Sequence, residues 1–419
     1  MSQAVAQIKR GPIMAAIIIG AFVTILNQTL LNVALPKIMA DLDITTNTAQ
    51  WLTTGFMLVN GVLIPLSAFL VGRFSTRQLF ITAMSLFFVG TVLCAFADSF
   101  SVLMAGRVVQ AAGAGIMLPL MSIVVLTIFK VEERGKAMGT MGIAMIFAPA
   151  VGPTLSGWIV EHHSWHVLFY IIGPFALIAL VIGLIFMRNV GQLTNPKFNL
   201  LGVILSTLGF GGLLFGFSEA GNDGWNSSTV IVSLIVGGVC LILFVLKELA
   251  SKGKPLLEFR VFRYNMYSLT TVINILITMA MYAGMILTPI YMQNILGLTP
   301  IKSGLALLPG AILMGIMSPI TGAIFDKVGA RWLAVAGLVI TAITTWEFGQ
   351  LTIDTTYTHM VVIYTIRMFG MSMLLMPIQT AGLNQLPQRL NPDGSAMSQT
   401  LRTVGGALGT AWLVSVMSN

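Results

Sequence analysis

An arginine and a glutamine stand inside an otherwise apolar stretch of the chain. Arg107 and Gln110 are three residues apart, so their side chains share one face of a helix. An arginine within a membrane helix costs on the order of 2.5–3.5 kcal/mol by insertion scales, so it must face water or the protein interior and have a partner. The pair is interpreted as part of a transport pathway, with a static packing role as the alternative.

Other polar side chains lie within apolar segments. The amides Asn27 and Gln28 in the first segment need partners or water, because an unpaired amide in hydrocarbon is costly. Asn32 follows in the same segment, and a second intramembrane arginine, Arg367, occurs late in the chain. Glu347, near the outer end of the eleventh segment, is a weaker candidate for a proton carrier. We predict that these side chains contribute to a solute or proton pathway.

A stripe of small side chains lies on the fifth apolar segment, where four of them recur at every fourth position: Ala144, Ala148, Gly152 and Ser156. Such a stripe lets a neighbouring helix approach closely. Pro149 and Pro153 sit one turn apart and each removes a backbone donor, so we expect this helix to bend or pivot. An ordinary tight helix contact is the alternative to a moving part.

The composition is that of a polytopic membrane protein. Of the 419 residues, 56% are hydrophobic and only 9% are charged, whereas soluble domains carry about 25% charged residues. The net charge of +8 reflects lysine and arginine residues that are concentrated in the predicted cytoplasmic loops. With the N-terminus in the cytoplasm, only Lys37 and Lys302 fall in outside loops, as the positive-inside rule predicts. No nucleotide-binding loop, metal-ligand set or nucleophile–base pair is recognisable, so the sequence does not indicate an enzyme.

The chain repeats itself at a spacing of about 254 residues. Gly72 corresponds to Asp326 at this spacing, and Gly152 corresponds to Gly406. The sequence contains thirteen apolar segments. Together with the repeat, they predict an all-α fold of two pseudo-repeated six-helix bundles with two inserted helices. We expect bundles at residues 1–190 and 265–419 and the inserted helices at 191–264. The second bundle would hold five helices, with the last helix missing from this chain.

A charged loop follows the tenth segment. Gly329 permits a tight turn between two helices, and Asp326 can accept hydrogen bonds from backbone donors at a nearby helix end. Arg331 completes this loop. The N-terminal copy keeps Arg73 and Arg77 but lacks the aspartate, so for these two arginines loop anchoring at the lipid headgroups is the alternative.

These motifs together resemble those of the major facilitator superfamily. Residues 139–157, which include Gly139, Gly152-Pro153 and Gly157, are similar to its antiporter signature. The segments 103–111 and 326–331 match two further superfamily motifs. Residues 26–36 resemble a signature of its drug/proton antiporters with fourteen helices, most of all lincosamide and multidrug resistance exporters of Gram-positive bacteria.

The resemblance implies proton-coupled multidrug efflux by alternating access in the bacterial cytoplasmic membrane. It implies proton handling for Arg107 and a cytoplasmic latch for Asp326. Asn27 stands where exporters of organic cations carry an aspartate. The expected partners are small amphipathic drugs, protons and the bilayer, for a monomer without nucleic acid, cofactor or metal. The alternatives are export of a dedicated endogenous solute or lipid, and a membrane sensor or scaffold without transport.

Overall fold

The apolar segments fold as long α-helices. The computed structural model describes residues 10–190, 193, 199–251 and 256–418, and every regular element within these ranges is helical. A helix bonds its backbone N–H and C=O groups internally, which hydrocarbon surroundings require.

The helices alternate with short connections along the chain. The first seven are α1 (Arg10–Leu42), α2 (Thr46–Arg73), α3 (Thr76–Ala95), α4 (Phe100–Ile128), α5 (Arg134–His162), α6 (His166–Phe186) and α7 (Leu200–Asp223). The next seven are α8 (Ser228–Ala250), α9 (Asn265–Asn294), α10 (Pro300–Val328), α11 (Ala330–Phe348), α12 (Tyr357–Ser372), α13 (Leu375–Asn384) and α14 (Asn391–Ser418). Short 3₁₀ turns precede α5, α9 and α14.

In the described residues, eleven helical spans are long and apolar enough to cross a membrane, with α12 and α13 together forming one of them. The long helices α11 and α14 pack on α12 and α9, respectively, but are not among these eleven spans. The predicted all-α polytopic membrane fold is therefore confirmed. One detail differs from the sequence expectation, because the span predicted over residues 360–382 is interrupted at Met373 and Leu374. Pro377 lies in the first turn of α13 and cannot donate a backbone bond to Met373.

The helix packing defines two groups and an added pair. In the first group α1 packs on α4, α5 and α6, and α3 packs between α4 and α6. In the second group α9 packs on α13 and α14, while α12 packs on α10 and α11. The helices α7 and α8 pack on each other, and α7 also contacts α2 and α14. Two seams join the groups, one between α5 and α10 and the other between α2 and α14.

Local sequence signals set several of these helix boundaries. Ser75 caps α3 in a reciprocal capping box with Gln78. Thr299 caps α10, and Pro300 follows at the first helical position, where a missing N–H costs nothing. Between α10 and α11, Gly329 adopts a φ of 82°, a left-handed conformation that favours glycine. This turn places the end of α10 directly beside the start of α11.

Candidate functional site

A buried polar network lies at the centre of the first helix group. The side chain of Arg107 on α4 is fully buried, and its Nη1 donates to Gln110 Oε1 at 3.0 Å. Its Nε donates to the carbonyl oxygen of Leu52 on α2 at 3.2 Å. The spacing of Arg107 and Gln110 thus gives the shared face that the sequence predicts. The Leu52 partner is a backbone atom on another helix and carries no sequence signal.

An aromatic ring provides part of the environment of this buried cation. The Arg107 guanidinium lies 4.2 Å from the ring centroid of Phe56, within the range of a cation–π interaction. Its Nη2 is buried and has no hydrogen-bond partner among the described residues. The guanidinium therefore keeps an unused donor at the centre of the helix group.

Asn27 joins the same network from α1. Its Nδ2 donates to Gln110 Oε1 at 3.1 Å, so this amide oxygen accepts from both Asn27 and Arg107. Gln110 Nε2 in turn donates to Thr91 Oγ1 on α3 at 2.9 Å. Side chains of α1, α3 and α4 are thereby fixed against one another. Thr91 is a residue that the sequence analysis did not single out.

The other amides of α1 lie outside this network. Gln28 is half-buried next to Asn27 in the chain. Asn32 is exposed and accepts a hydrogen bond from Thr53 Oγ1 at 3.3 Å. Glu347 is likewise exposed, near the end of α11. The structure does not bring these three side chains together with Arg107.

The second helix group contains two further buried arginines. Arg367 on α12 donates from Nη2 to the carbonyl oxygen of Ala280 at 2.7 Å, and its guanidinium lies 5.2 Å from the ring centroid of Phe348. Arg402 on α14 is also buried. Among the described residues, no carboxylate forms a salt bridge with Arg107, Arg367 or Arg402. The interior therefore holds three guanidinium groups, and no carboxylate among the described residues is their counterion.

A carboxylate does connect the two groups at one end of the molecule. Asp326, at the end of α10, accepts from the backbone N of Gly135 at 2.7 Å and from that of Lys136 at 2.8 Å. Both nitrogens belong to the first turn of α5, where backbone donors lack partners and the helix dipole favours a negative charge. We call this end of the molecule the Asp326 end. Two hydrogen bonds join the helix groups there, and protonation of the carboxylate would remove the charge that strengthens them.

Small residues bring α5 and α10 into close contact beside this bond. A Cβ at Gly135 would overlap the carbonyl oxygen of Gly322, and a Cβ at Gly322 would overlap that of Gly135. One turn further along α5, a Cβ at Gly139 would overlap the carbonyl oxygen of Ser318. Gly139 of the antiporter-like signature therefore lies at the seam between the groups. The sequence analysis did not identify Gly135 or Gly322.

Two more hydrogen bonds cross between the groups near the Asp326 end. Arg134 Nη1 donates to Asn384 Oδ1 of α13 at 2.9 Å. Ser395 Oγ of α14 donates to the carbonyl oxygen of Pro119 in α4 at 3.5 Å. These bonds join α5 to α13 and α14 to α4, so the two helix groups are in contact beside both seams.

Comparison with known proteins identifies this architecture. The Major Facilitator Superfamily profile matches residues 17–410. The chain belongs to the Major Facilitator Superfamily. It is 54% identical over 410 residues to the uncharacterized MFS-type transporter YcnB of Bacillus subtilis, a match that covers 98% of this chain and 87% of the relative. It is 47% identical over 414 residues to the lincomycin resistance protein LmrB of the same organism, covering 98% of this chain and 86% of the relative.

A solved structure supports the same fold. The human organic anion transporter MFSD10 superimposes with a TM-score of 0.72 at 12% identity, covering 98% of this chain and 94% of that chain. At this identity the likeness concerns the fold alone. The superfamily and its transporter relatives identify this chain as a multi-pass membrane transporter rather than an enzyme.

The small-residue stripe of the superfamily's antiporter-like signature packs inside the first helix group. A Cβ at Gly152 would overlap the Thr29 side chain of α1, and Thr29 Oγ1 lies 3.4 Å from the carbonyl oxygen of Ala148. Ser156 Oγ donates to the carbonyl oxygen of Leu30 at 2.6 Å. The stripe therefore holds α5 against α1. Gly157, at the end of the signature, has open space around it.

The two prolines of this signature do not interrupt their helix. α5 runs without a break from Arg134 to His162, and Pro149 and Pro153 both lie within it. A pivot at Pro153 stays a prediction.

The remaining loop residues of the superfamily motifs have local partners. Arg77 Nη2 donates to the carbonyl oxygen of Leu184 in α6 at 2.8 Å, which ties the start of α3 to the end of α6. Arg331 lies 5.7 Å from the ring centroid of Trp332. Arg73 is in the last turn of α2 and is exposed. The contact across the groups is thus made by Asp326, while the contacts of Arg77 and Arg331 stay within their own group.

Proposed function

We propose that this chain exports amphipathic drugs by alternating access, in exchange for protons. The observation that carries the proposal is the hydrogen bonding of Asp326 to Gly135 and Lys136 across the α5–α10 seam. A transporter of this kind needs two rigid groups joined by a bond that can break and reform. We propose that residues 1–190 and 265–419 move against each other, with 191–264 connecting them.

The strength of the Asp326 contact suits such a reversible closure. A hydrogen bond to a charged group contributes about 1.5–3 kcal/mol. Two such bonds favour the closed seam by a few kcal/mol, which substrate binding or protonation can offset. The glycine contacts next to these bonds hold α5 and α10 close together. Opening at this end therefore separates these two helices.

The drug class is proposed from one relative and from the interior. The relative LmrB is named a lincomycin resistance protein, which is a statement about that protein. In this chain the interior has buried polar donors beside apolar surface, a combination that binds amphipathic molecules. The Arg107 network holds its donor positions fixed through contacts from three other helices.

The proposal includes an orientation and an energy source. We propose that the N-terminus and the Asp326 end lie in the cytoplasm of a bacterial cell, which the distribution of lysine and arginine supports. The closed Asp326 end then corresponds to an outward-facing state of a monomer. A proton that enters down a potential of 100 mV releases about 2.3 kcal/mol per charge, enough to drive a modest drug gradient.

Dye efflux from energised membrane vesicles tests the proposal. Vesicles that contain the wild-type protein are expected to export a fluorescent amphipathic dye, and an uncoupler is expected to stop the export. Vesicles with Asp326→Asn serve as the defective control. Export that persists unchanged with the uncoupler would contradict proton coupling.

The same assay separates the alternatives. A protein that moves no dye but exchanges a lipid or an endogenous solute would support the dedicated exporter and overturn drug efflux. A protein that moves nothing, yet is inserted and folded, would support a sensor or scaffold.

A further inference from the structure

A second polar cluster lies between α9, α13 and α14, away from the Arg107 network. Arg402 of α14 is 8% exposed, and its Nη1 donates to Gln379 Oε1 at 3.0 Å. Its Nε donates to Thr278 Oγ1 of α9 at 3.3 Å. Gln379 and Thr278 are both buried. The guanidinium is thus oriented by two neutral side chains from two different helices.

The Arg402 guanidinium retains free binding capacity. Its Nη2 has no hydrogen-bond partner among the described residues. No aromatic ring of the described residues lies over the face of the Arg402 guanidinium. By contrast, Phe56 lies over Arg107 and Phe348 lies over Arg367. A planar guanidinium with free donors binds carboxylates in fixed geometry. Of the three buried arginines, Arg402 is therefore the one best arranged to receive an anionic group.

A buried acceptor lies one helical turn from the Thr278 contact. Asn274 Nδ2 donates to the carbonyl oxygen of Thr270 at 3.0 Å, which leaves Asn274 Oδ1 as the other polar atom of the amide. This oxygen is buried and has no partner in the described residues. A carboxylate has no proton to donate to this oxygen, so water or an N–H or O–H group elsewhere on a ligand must supply the missing donor.

The position of Tyr282 indicates an opening above the cluster. Tyr282 follows Thr278 by one turn of α9 and packs on Gly406 of α14, yet it is 38% exposed. It comes six residues after Leu276, which belongs to the outer apolar stripe of α9, so it points about 120° away from that stripe. Its exposed surface therefore points away from the outer apolar stripe of α9.

We infer that Arg402, with Gln379 and Thr278 holding it, forms a subsite for the carboxylate of an amphipathic organic acid. The charge favours this ligand class, because the interior holds three arginines and no carboxylate pairs with them in the described ranges. Taking an anion into this space compensates a buried cation, whereas a second cation is repelled. The subsite assigns a substrate class to the proposed exporter and rests on that proposed function.

Ligand binding to the purified protein in lipid nanodiscs tests the subsite. The probes are naproxen, a fluorescent amphipathic carboxylic acid, and its neutral primary amide, with empty nanodiscs as the correction for lipid partition. The wild-type protein is expected to bind the acid about tenfold more tightly than the amide. Arg402→Gln is expected to remove this preference, and Arg402→Lys is expected to retain part of it. Arg389→Gln, which removes an exposed loop arginine, is the control with an unchanged ratio.

A second variant distinguishes loss of the subsite from a folding defect in Arg402→Gln. Thr278→Asp places a carboxylate next to Arg402 without removing the guanidinium, and it should also abolish the preference for the acid. Equal binding of acid and amide by the wild-type protein would overturn the inference, as would a preference that survives both Arg402→Gln and Thr278→Asp.

Efflux of the same two probes from vesicles distinguishes the subsite from the proposed function. Acid binding that depends on Arg402 without any probe export would contradict the exporter and keep the subsite. Export of both probes at equal rates, with equal affinities, would contradict the subsite and keep the exporter.

Discussion

Asp326 of α10 accepts a hydrogen bond of 2.7 Å from the backbone nitrogen of Gly135, the second residue of α5. The carboxylate of one helix group thus caps a helix of the other. Because the second carboxylate oxygen binds Lys136 N in the same turn, the contact uses both oxygens of one side chain. A single side chain thus supplies both charge-assisted hydrogen bonds across the seam.

Loss of that charge is expected to open the Asp326 end. In Asp326→Asn the amide keeps only one acceptor and has no charge, so the closed seam loses about 1.5–3 kcal/mol of favourable interaction. Spin labels at the exposed positions Lys130 and Gln388, in a background with Cys94→Ser and Cys240→Ser, would measure the distance across this end. The variant should show a larger share of long distances than the wild type.

Lys327→Gln is the matched control for this experiment, because it removes a neighbouring exposed charge and leaves the carboxylate in place. A distance distribution that is identical in wild type and Asp326→Asn would show that Asp326 does not control closure.

The Arg107 network is expected to require the forked geometry of arginine. A lysine at this position has one ammonium group, so it cannot reach Leu52 O and Gln110 Oε1 from two nitrogens. Dye efflux by Arg107→Lys should fall by at least about tenfold while the protein is still inserted. Arg188→Lys, at an exposed position after α6, should retain wild-type efflux. Full efflux by Arg107→Lys would reduce this network to static packing.

Close packing of α5 on α1 is expected to limit substitutions at Gly152. Gly152→Leu or Pro153→Leu should suppress transport in vesicles, because leucine at 152 displaces Thr29 and leucine at 153 removes the helix-weakening proline. Gly157→Leu on the same helix has open space around it and should transport almost normally. Ordinary efflux by Gly152→Leu would mean that the stripe has no role in transport.

The interior charge is expected to set a preference among dyes. Three buried arginines without a carboxylate partner in the described residues disfavour added positive charge, so neutral Nile red should be exported better than the dication propidium. Asn27→Asp adds a carboxylate beside Gln110 and Arg107, which lowers the local positive charge. This variant should favour the monocation ethidium and make its efflux more dependent on pH.

Ethidium and propidium share one ring system and differ in a side chain that carries the second charge, so their comparison tests the effect of that charged side chain. Strong propidium export by the unmodified protein would contradict the charge argument.

Much of this arrangement follows from sequence patterns that act within one helix. The spacing of Arg107 and Gln110 fixes their shared face, and the recurrence of small residues from Ala144 to Ser156 fixes a surface for close contact. The composition determines the membrane class. Each of these inferences depends on helical periodicity, which the sequence contains directly.

Contacts between helices could not be predicted in the same way. The role of Asn27 as a partner of Gln110 depends on the rotation of α1 against α4, which many side chains set together. The stripe predicts a neighbour but cannot choose between α1 and α10, and the structure assigns α1. The role of Gly135 and Gly322 in the close contact of α5 and α10 is visible only in the structure, because a single glycine in a helix has many explanations.

Simultaneous recording of drug and proton movement tests the central claim most directly. Purified protein in liposomes would be given an imposed pH gradient, with a fluorescent drug and a pH indicator followed together. The account predicts that drug moves against proton flow, that added drug speeds the decay of the gradient, and that Asp326→Asn impairs both movements equally. Drug flux that is independent of the gradient, with no proton movement coupled to it, would contradict the account.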